Sequence, residues 1–118
     1  MLQQKLSQVG TELAKVSANC WHYFRPNNNF PCIVWAETGE NNSFYSDNGK
    51  SEQRITGVVD AFTRTEYDTM LDDIQTTLTA LGLTWTLDVV QYETETKLIH
   101  YTWSWGVIAD GETPVQGT

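Results

Sequence analysis

Residues 99–107 alternate between two kinds of side chain, and this alternation constrains the fold more than any other feature of the chain. The odd positions are all large and apolar: Ile99, Tyr101, Trp103, Trp105 and Val107. The even positions include the polar residues His100, Thr102 and Ser104. Successive side chains of a strand point to opposite faces, so the pattern predicts a strand with one buried face. Such a strand needs neighbouring strands and a layer that covers its apolar side.

Two segments have the helical spacing that can supply this layer. The apolar residues of the first recur at three- and four-residue steps: Leu2, Leu6, Val9, Leu13 and Val16. The second has an equivalent stripe: Tyr67, Leu71, Ile74, Leu78 and Leu81. Thr65 and Asp68 resemble a capping box at the start of the second helix, and Gly82 suits the left-handed position after its end. We interpret both as amphipathic helices packed on a sheet, since two heptads are too few to indicate a coiled coil.

The other periodic segments predict strands at residues 32–37, 43–46 and 54–63. A strand with Trp85, Leu87 and Val89 on one face forms a hairpin with the strand at 99–107, while Asp47-Asn48-Gly49 signals a shorter hairpin. Residues 17–31 are expected to form a loop. The sequence therefore predicts an α+β fold in the order α-β-β-β-α-β-β, with a mainly antiparallel four- to five-stranded sheet and two helices packed on one face.

Length and charge restrict the class of protein. The 118 residues predict a single domain over residues 1–108, followed by a flexible C-terminal tail at 109–118. Fifteen acids against seven scattered bases give a formal net charge of −8, which disfavours gripping DNA through its phosphates. An acidic surface would instead let DNA slide past. We expect a product made in the cytoplasm that has no association with membranes, because no apolar run is long enough to span a bilayer.

The sequence contains few candidates for catalytic or metal-ligating residues. Cys20, His22 and Cys32 are metal-ligating types close together, but a structural zinc site needs a fourth ligand. The acidic pairs Asp72-Asp73 and Glu93-Glu95 stand in no catalytic motif and are typical of solvated faces. We therefore expect no enzyme activity, no cofactor and no metal, and we expect both cysteines to be free thiols.

The fourteen aromatic residues are the main candidates for binding a partner. About two-thirds of them are assigned to the core, as is usual for such side chains. The remainder are candidates for a subunit interface, where aromatic residues are enriched: Trp21, Tyr23, Phe24, Phe30, Phe44 and Tyr45.

Three segments of the chain, in this order and spacing, resemble the tail terminator (tail completion) proteins of long-tailed bacteriophages and prophages. They are Asn29-Phe30-Pro31-Cys32-Ile33-Val34-Trp35, Phe44-Tyr45-Ser46-Asp47-Asn48 and Val58-Val59-Asp60-Ala61-Phe62-Thr63. The resemblance extends over residues 2–107. The chain departs from the pattern where its third strand ends in Phe62-Thr63 and where Gly49 follows the asparagine.

The resemblance implies a structural virion protein at the tail–neck junction. Such proteins form a ring, usually of six subunits, that ends polymerisation of the tail tube and joins the tail to the head. The implied partners are further copies of the chain, the tail tube protein and the head–tail connector or head-closure protein. DNA is expected to pass through the ring without sequence-specific binding. Closing a ring requires two different matching patches, which we place at residues 21–30 and at an edge of the sheet. The alternatives are another neck component, such as a head-closure or adaptor protein, and a small monomeric cytosolic binding protein of a mobile element.

Overall fold

The computed structural model describes residues 2–40, 45–46, 49–50 and 52–110, with side chains over 2–40 and 53–108. Its elements follow in the order α1 (Leu2–Leu13), β1 (Cys20–His22), β2 (Cys32–Glu40), β3 (Tyr45–Ser46), β4 (Gly49–Lys50), β5 (Glu52–Thr63), α2 (Thr69–Ala80), β6 (Thr84–Glu93) and β7 (Leu98–Asp110). Neither helix in the described part of the chain is long and apolar enough to cross a membrane.

The main sheet has five strands in the order β1-β2-β5-β7-β6. Strand β1 runs parallel to β2, and the other neighbours are antiparallel. The predicted α+β class and element order are confirmed. The short hairpin is confirmed as well, since β3 and β4 form a separate two-stranded ribbon in which Tyr45 pairs with Lys50 and Ser46 with Gly49.

Strand β1 lies where the sequence predicts a loop, so that prediction is wrong for residues 20–22. Two backbone hydrogen bonds hold the strand against β2: Tyr23 N–H donates to Trp35 O at 2.8 Å, and Ile33 N–H donates to Asn19 O at 2.8 Å. Three residues are too few to show a period in the sequence. The strand exists because β2 supplies its hydrogen-bond partners.

Both helices cover the same face of the sheet, as predicted. The buried core consists largely of the expected residues: Val9 and Leu13 of α1, Ile74 and Leu78 of α2, and Trp103, Trp105 and Val107 of β7. Gly10 allows α1 to approach β2 closely, because a Cβ at this position would overlap Cζ2 of Trp35. Burial of this shared apolar surface is the main free energy that favours the fold.

Helix α2 begins later than the sequence predicts. Asp68 is its N-cap and accepts a hydrogen bond from Met70 N–H at 2.9 Å, whereas Thr65 and Tyr67 precede the helix. Tyr67 has φ 54° and is 92% exposed, so its assignment to the buried stripe is wrong. The end is as predicted: Gly82 has φ 77°, and Leu83 N–H donates to Leu78 O in a Schellman motif.

A bulge between Leu87 and Val89 changes which side chains of β6 share a face. Leu87 pairs with Trp103 on the helix side, whereas Val89 pairs with Thr102 on the other side. The prediction that Val89 shares a face with Leu87 is therefore wrong, because the extra residue Asp88 shifts the register. Strand β7 continues to Asp110, past the predicted domain end at 108, and residues 111–118 of the predicted tail lie outside the described residues.

Candidate subunit interface

The outer strands of the main sheet, β1 and β6, lie at opposite ends of the strand order. In the part of the chain that the structure describes, each pairs on one side only, β1 with β2 and β6 with β7. An unpaired edge presents N–H and C=O groups with which another chain can pair. We call residues 20–30, which comprise β1 and the segment after it, the β1 edge, and we call Thr84–Glu93 the β6 edge.

A stack of three rings organises the β1 edge. The ring of His22 lies between those of Tyr23 and Trp35, with centroid distances of 4.1 and 3.9 Å. One carboxylate oxygen of Glu37 lies 2.7 Å from His22 Nε2 and accepts a hydrogen bond from the Tyr23 hydroxyl at 3.0 Å. Tyr23 adopts φ 76°, and this network holds its exposed ring in one position at the end of β1.

The network also changes the acidity of its members. Partial burial raises the pKa of Glu37, but hydrogen bonds from His22, its own backbone and Tyr23 outweigh burial and leave the pKa below its ordinary value. The pKa of Tyr23 is raised, mainly because its hydroxyl donates to the Glu37 carboxylate. The ionised carboxylate therefore favours the stacked arrangement of the β1 edge.

The structure divides five of the six predicted interface residues into three groups. Tyr23 and Phe24 are exposed, Phe24 by 72%, and are free to contact a partner. Trp21 is half-buried, and its register beside Val34 places it on the sheet face opposite the helices. Phe44 lies outside the described residues, and only the place of Tyr45 in β3 is described.

Phe30, the remaining predicted interface residue, is half-buried in contacts within its own chain. The guanidinium of Arg25 lies 5.1 Å from the centre of the Phe30 ring and 4.9 Å from that of Phe62. Arg64 lies over the same Phe30 ring at 5.1 Å. These cation–π contacts stabilise the packing of the segment after β1 against Phe62 of β5. Phe30 thus supports the shape of the β1 edge.

The β6 edge exposes large apolar side chains that are not among the predicted interface residues. They are Leu87, Val89, Val90 and Tyr92. A signal was present in the sequence, because Val89-Val90 places apolar residues at consecutive positions, and a strand that is apolar on both faces has more surface than one helix layer can cover. The prediction of an edge as the second patch did not specify which edge.

The polar cluster most similar to a catalytic site lies on the sheet face away from the helices. Oδ1 of Asp60 accepts a hydrogen bond from the Thr102 hydroxyl at 2.7 Å and lies 2.8 Å from His100 Nε2. The Thr102 hydroxyl lies 3.3 Å from the same ring nitrogen. In a nucleophilic triad the acid and the nucleophile contact different nitrogens of the imidazole. Here Asp60 and Thr102 both contact Nε2, and Glu93 Oε2 lies 3.9 Å from Nδ1, which is too far for a hydrogen bond. The Thr102 hydroxyl donates its hydrogen bond to Asp60, so the cluster links β5 to β7.

The two cysteines are free thiols on different faces of the sheet. Cys20 pairs in register with Ile33, so Cys32 points to the opposite side. Burial, and to a smaller extent the proximity of Cys32, raises the pKa of Cys20 to about 11. Burial also raises the pKa of Cys32, although Arg25 partly offsets it. Both groups therefore favour the protonated form, which is a poor nucleophile and metal ligand.

No protein-family model matches the chain, and a search of curated proteins returns no match to its sequence.

Proposed function

We propose that this chain is a structural subunit of a long-tailed bacteriophage or prophage, of the tail terminator type. It forms a closed ring at the head-proximal end of the tail tube, ends polymerisation of the tube and joins the tail to the head. Its partners are further copies of itself, the tail tube protein and the connector or head-closure protein.

One observation carries the proposal: exposed apolar surface is concentrated on the two opposite edges of the sheet. Six of the eight large apolar side chains that are exposed in the described residues lie there: Tyr23, Phe24, Leu87, Val89, Val90 and Tyr92. A monomer does not need apolar side chains on two opposite flanks, whereas a ring subunit contacts one neighbour on each side. This distribution supports a subunit with two different association surfaces, in agreement with the three segments that resemble tail terminators.

Two further observations support a structural role beside DNA. The net charge of −8 opposes retention of DNA that passes through a ring. The cluster of Asp60, His100 and Thr102 is bonded across two strands in a way that stabilises the sheet, so it gives no support to hydrolytic chemistry.

Deletion of the gene from the phage that encodes it tests the proposal, with electron microscopy of the lysate as the measurement. Filled heads without tails, beside free tails of irregular and excessive length, are expected, and a plasmid-borne copy of the gene should restore virions. Free tails of normal length with leaking heads would instead assign the chain to head closure. Intact virions would contradict the proposal and favour the cytosolic binding protein.

A further inference from the structure

The two exposed edges allow three pairings between copies of the chain. Two β6 edges or two β1 edges can meet, and each of these isologous contacts gives a closed dimer. A β6 edge can also meet a β1 edge, which is a heterologous contact that continues from subunit to subunit. The charges of the two edges disfavour one of these pairings.

The β1 edge and the β6 edge differ in formal charge. Residues 20–30 contain one base, Arg25, and no acid, although the whole chain has fifteen acids. The β6 edge contains two acids, Asp88 and Glu93, and no base, which gives it a formal charge of −2. Two β6 edges would therefore repel each other. The β1 edge carries Arg25 and also the Glu37 carboxylate that contacts His22 and Tyr23, so it has no net formal charge and does not repel a β6 edge.

The shape of β6 limits where a neighbour can pair. The bulge between Leu87 and Val89 interrupts a regular ladder, so the segment from Val89 to Glu93 is the uninterrupted part of this edge after the bulge. That segment also holds Val89, Val90 and Tyr92, three of the exposed apolar side chains. It contains neither lysine nor proline, the residues that commonly prevent pairing at a sheet edge.

We propose that the β6 edge of one copy docks on the β1 edge of the next copy, with the exposed rings of Tyr23 and Phe24 against Val90 and Tyr92. The His22–Glu37 network holds Tyr23 in place before the contact forms, which lowers the ordering cost of association. This inference rests on the proposed function for the closed ring, but the edge pairing is a property of the isolated chain and can be measured without a phage.

Two single substitutions, each on one edge, test the pairing in purified protein. Phe24→Glu blocks the β1 edge and Tyr92→Glu blocks the β6 edge, and both side chains are exposed, so the far-UV circular dichroism spectra should match that of the wild type. Tyr67→Glu is the matched control, because Tyr67 is 92% exposed and lies on neither edge. Native mass spectrometry and sedimentation velocity at one concentration report the assembly state.

The wild type and the Tyr67→Glu control should form oligomers larger than dimers, and each blocked variant alone should be monomeric. An equimolar mixture of the two blocked variants should form a one-to-one heterodimer and nothing larger, since only one pair of intact edges is present. A Phe24→Glu variant that dimerises alone would show β6 edges pairing with each other and would overturn the inference. Blocked variants that still form large oligomers, or a wild type that stays monomeric at millimolar concentration, would also overturn it.

The two proposals fail separately. Gene deletion that yields overlong tails, combined with a mixture that stays monomeric, would refute the edge pairing and leave the tail terminator role in place. A heterodimer in the mixture, combined with intact virions after gene deletion, would refute the tail terminator role and leave the edge pairing in place.

Discussion

Replacement of Gly57 by alanine should destabilise the fold strongly, although it adds only one methyl group. Gly57 lies in β5 between β2 and β7, and its cross-strand partner on β7 is Trp105. The indole of Trp105 is only 2% exposed and covers Gly57. A Cβ at residue 57 would overlap Cζ2 and Cε2 of this ring and would lie 2.5 Å from the carbonyl oxygen of Ala36.

The expected loss of stability depends on which neighbouring atoms would have to move to admit the new methyl group. Excess volume in a packed core typically costs about 1–3 kcal/mol. The upper end applies here, because the Ala36 carbonyl belongs to β2 and cannot shift without disturbing its pairing with β5. Alanine also lowers the backbone entropy of the unfolded chain, which stabilises the folded state by about 0.4–1 kcal/mol. We therefore expect a net decrease in the free energy of unfolding of about 2 kcal/mol. The unfolding entropy of a chain of this length converts each kcal/mol into about 4 °C, which predicts a fall in Tm of about 8 °C.

Thermal unfolding followed by far-UV circular dichroism, at one protein concentration, measures this loss. Gly106→Ala is the matched control, because the nearest atom to its Cβ is the hydroxyl of exposed Thr84 at 3.1 Å, and its Tm should change by less than about 4 °C. In a Trp105→Leu background, the cost of Gly57→Ala should fall by at least about 1 kcal/mol, since the overlapping ring is gone. A Gly57→Ala protein that melts within about 3 °C of the wild type would show that the Trp105 ring and the Ala36 carbonyl can accommodate a methyl group at position 57.

Two further predictions concern single side chains. Asp68→Ala removes the N-cap acceptor of α2 and also the acceptor of the hydrogen bond from the buried Thr63 hydroxyl, so it should lower the stability by about 2 kcal/mol, measured by urea denaturation. Asp68→Asn keeps one acceptor oxygen for the cap and should lose about 1 kcal/mol less, and equal losses in both variants would exclude capping as a cause. Glu37 has a lowered pKa, so its stabilising contribution is present above its ordinary pKa of 4.5 and is lost as the pH falls through the lower pKa of the folded state. Wild-type stability should therefore fall more steeply than that of Glu37→Gln as the pH drops below about 4.5, and parallel curves would contradict this role of Glu37.

The candidate site could be predicted only in part from the sequence. The aromatic loop after residue 20 was an evident surface candidate, and Tyr23 and Phe24 are indeed exposed. Phe30 belonged to the same cluster in the sequence, yet Arg25 and Arg64 hold it within its own chain. The contacts that cover Phe30 involve Phe62 and Arg64, which are more than thirty residues away in the sequence, so no local pattern contains that information.

Elements with a strong local period follow from the order of the residues alone. The alternation at 99–107 specifies a strand with one buried face, and Gly82 specifies the end of α2, because side-chain direction and the left-handed backbone are local properties. The three residues of β1 and the bulge beside Asp88 depend instead on the neighbouring strands, and these two features shape the two sheet edges. An edge is defined by the strand that is missing beside it, which is a property of the assembled sheet and not of any one segment.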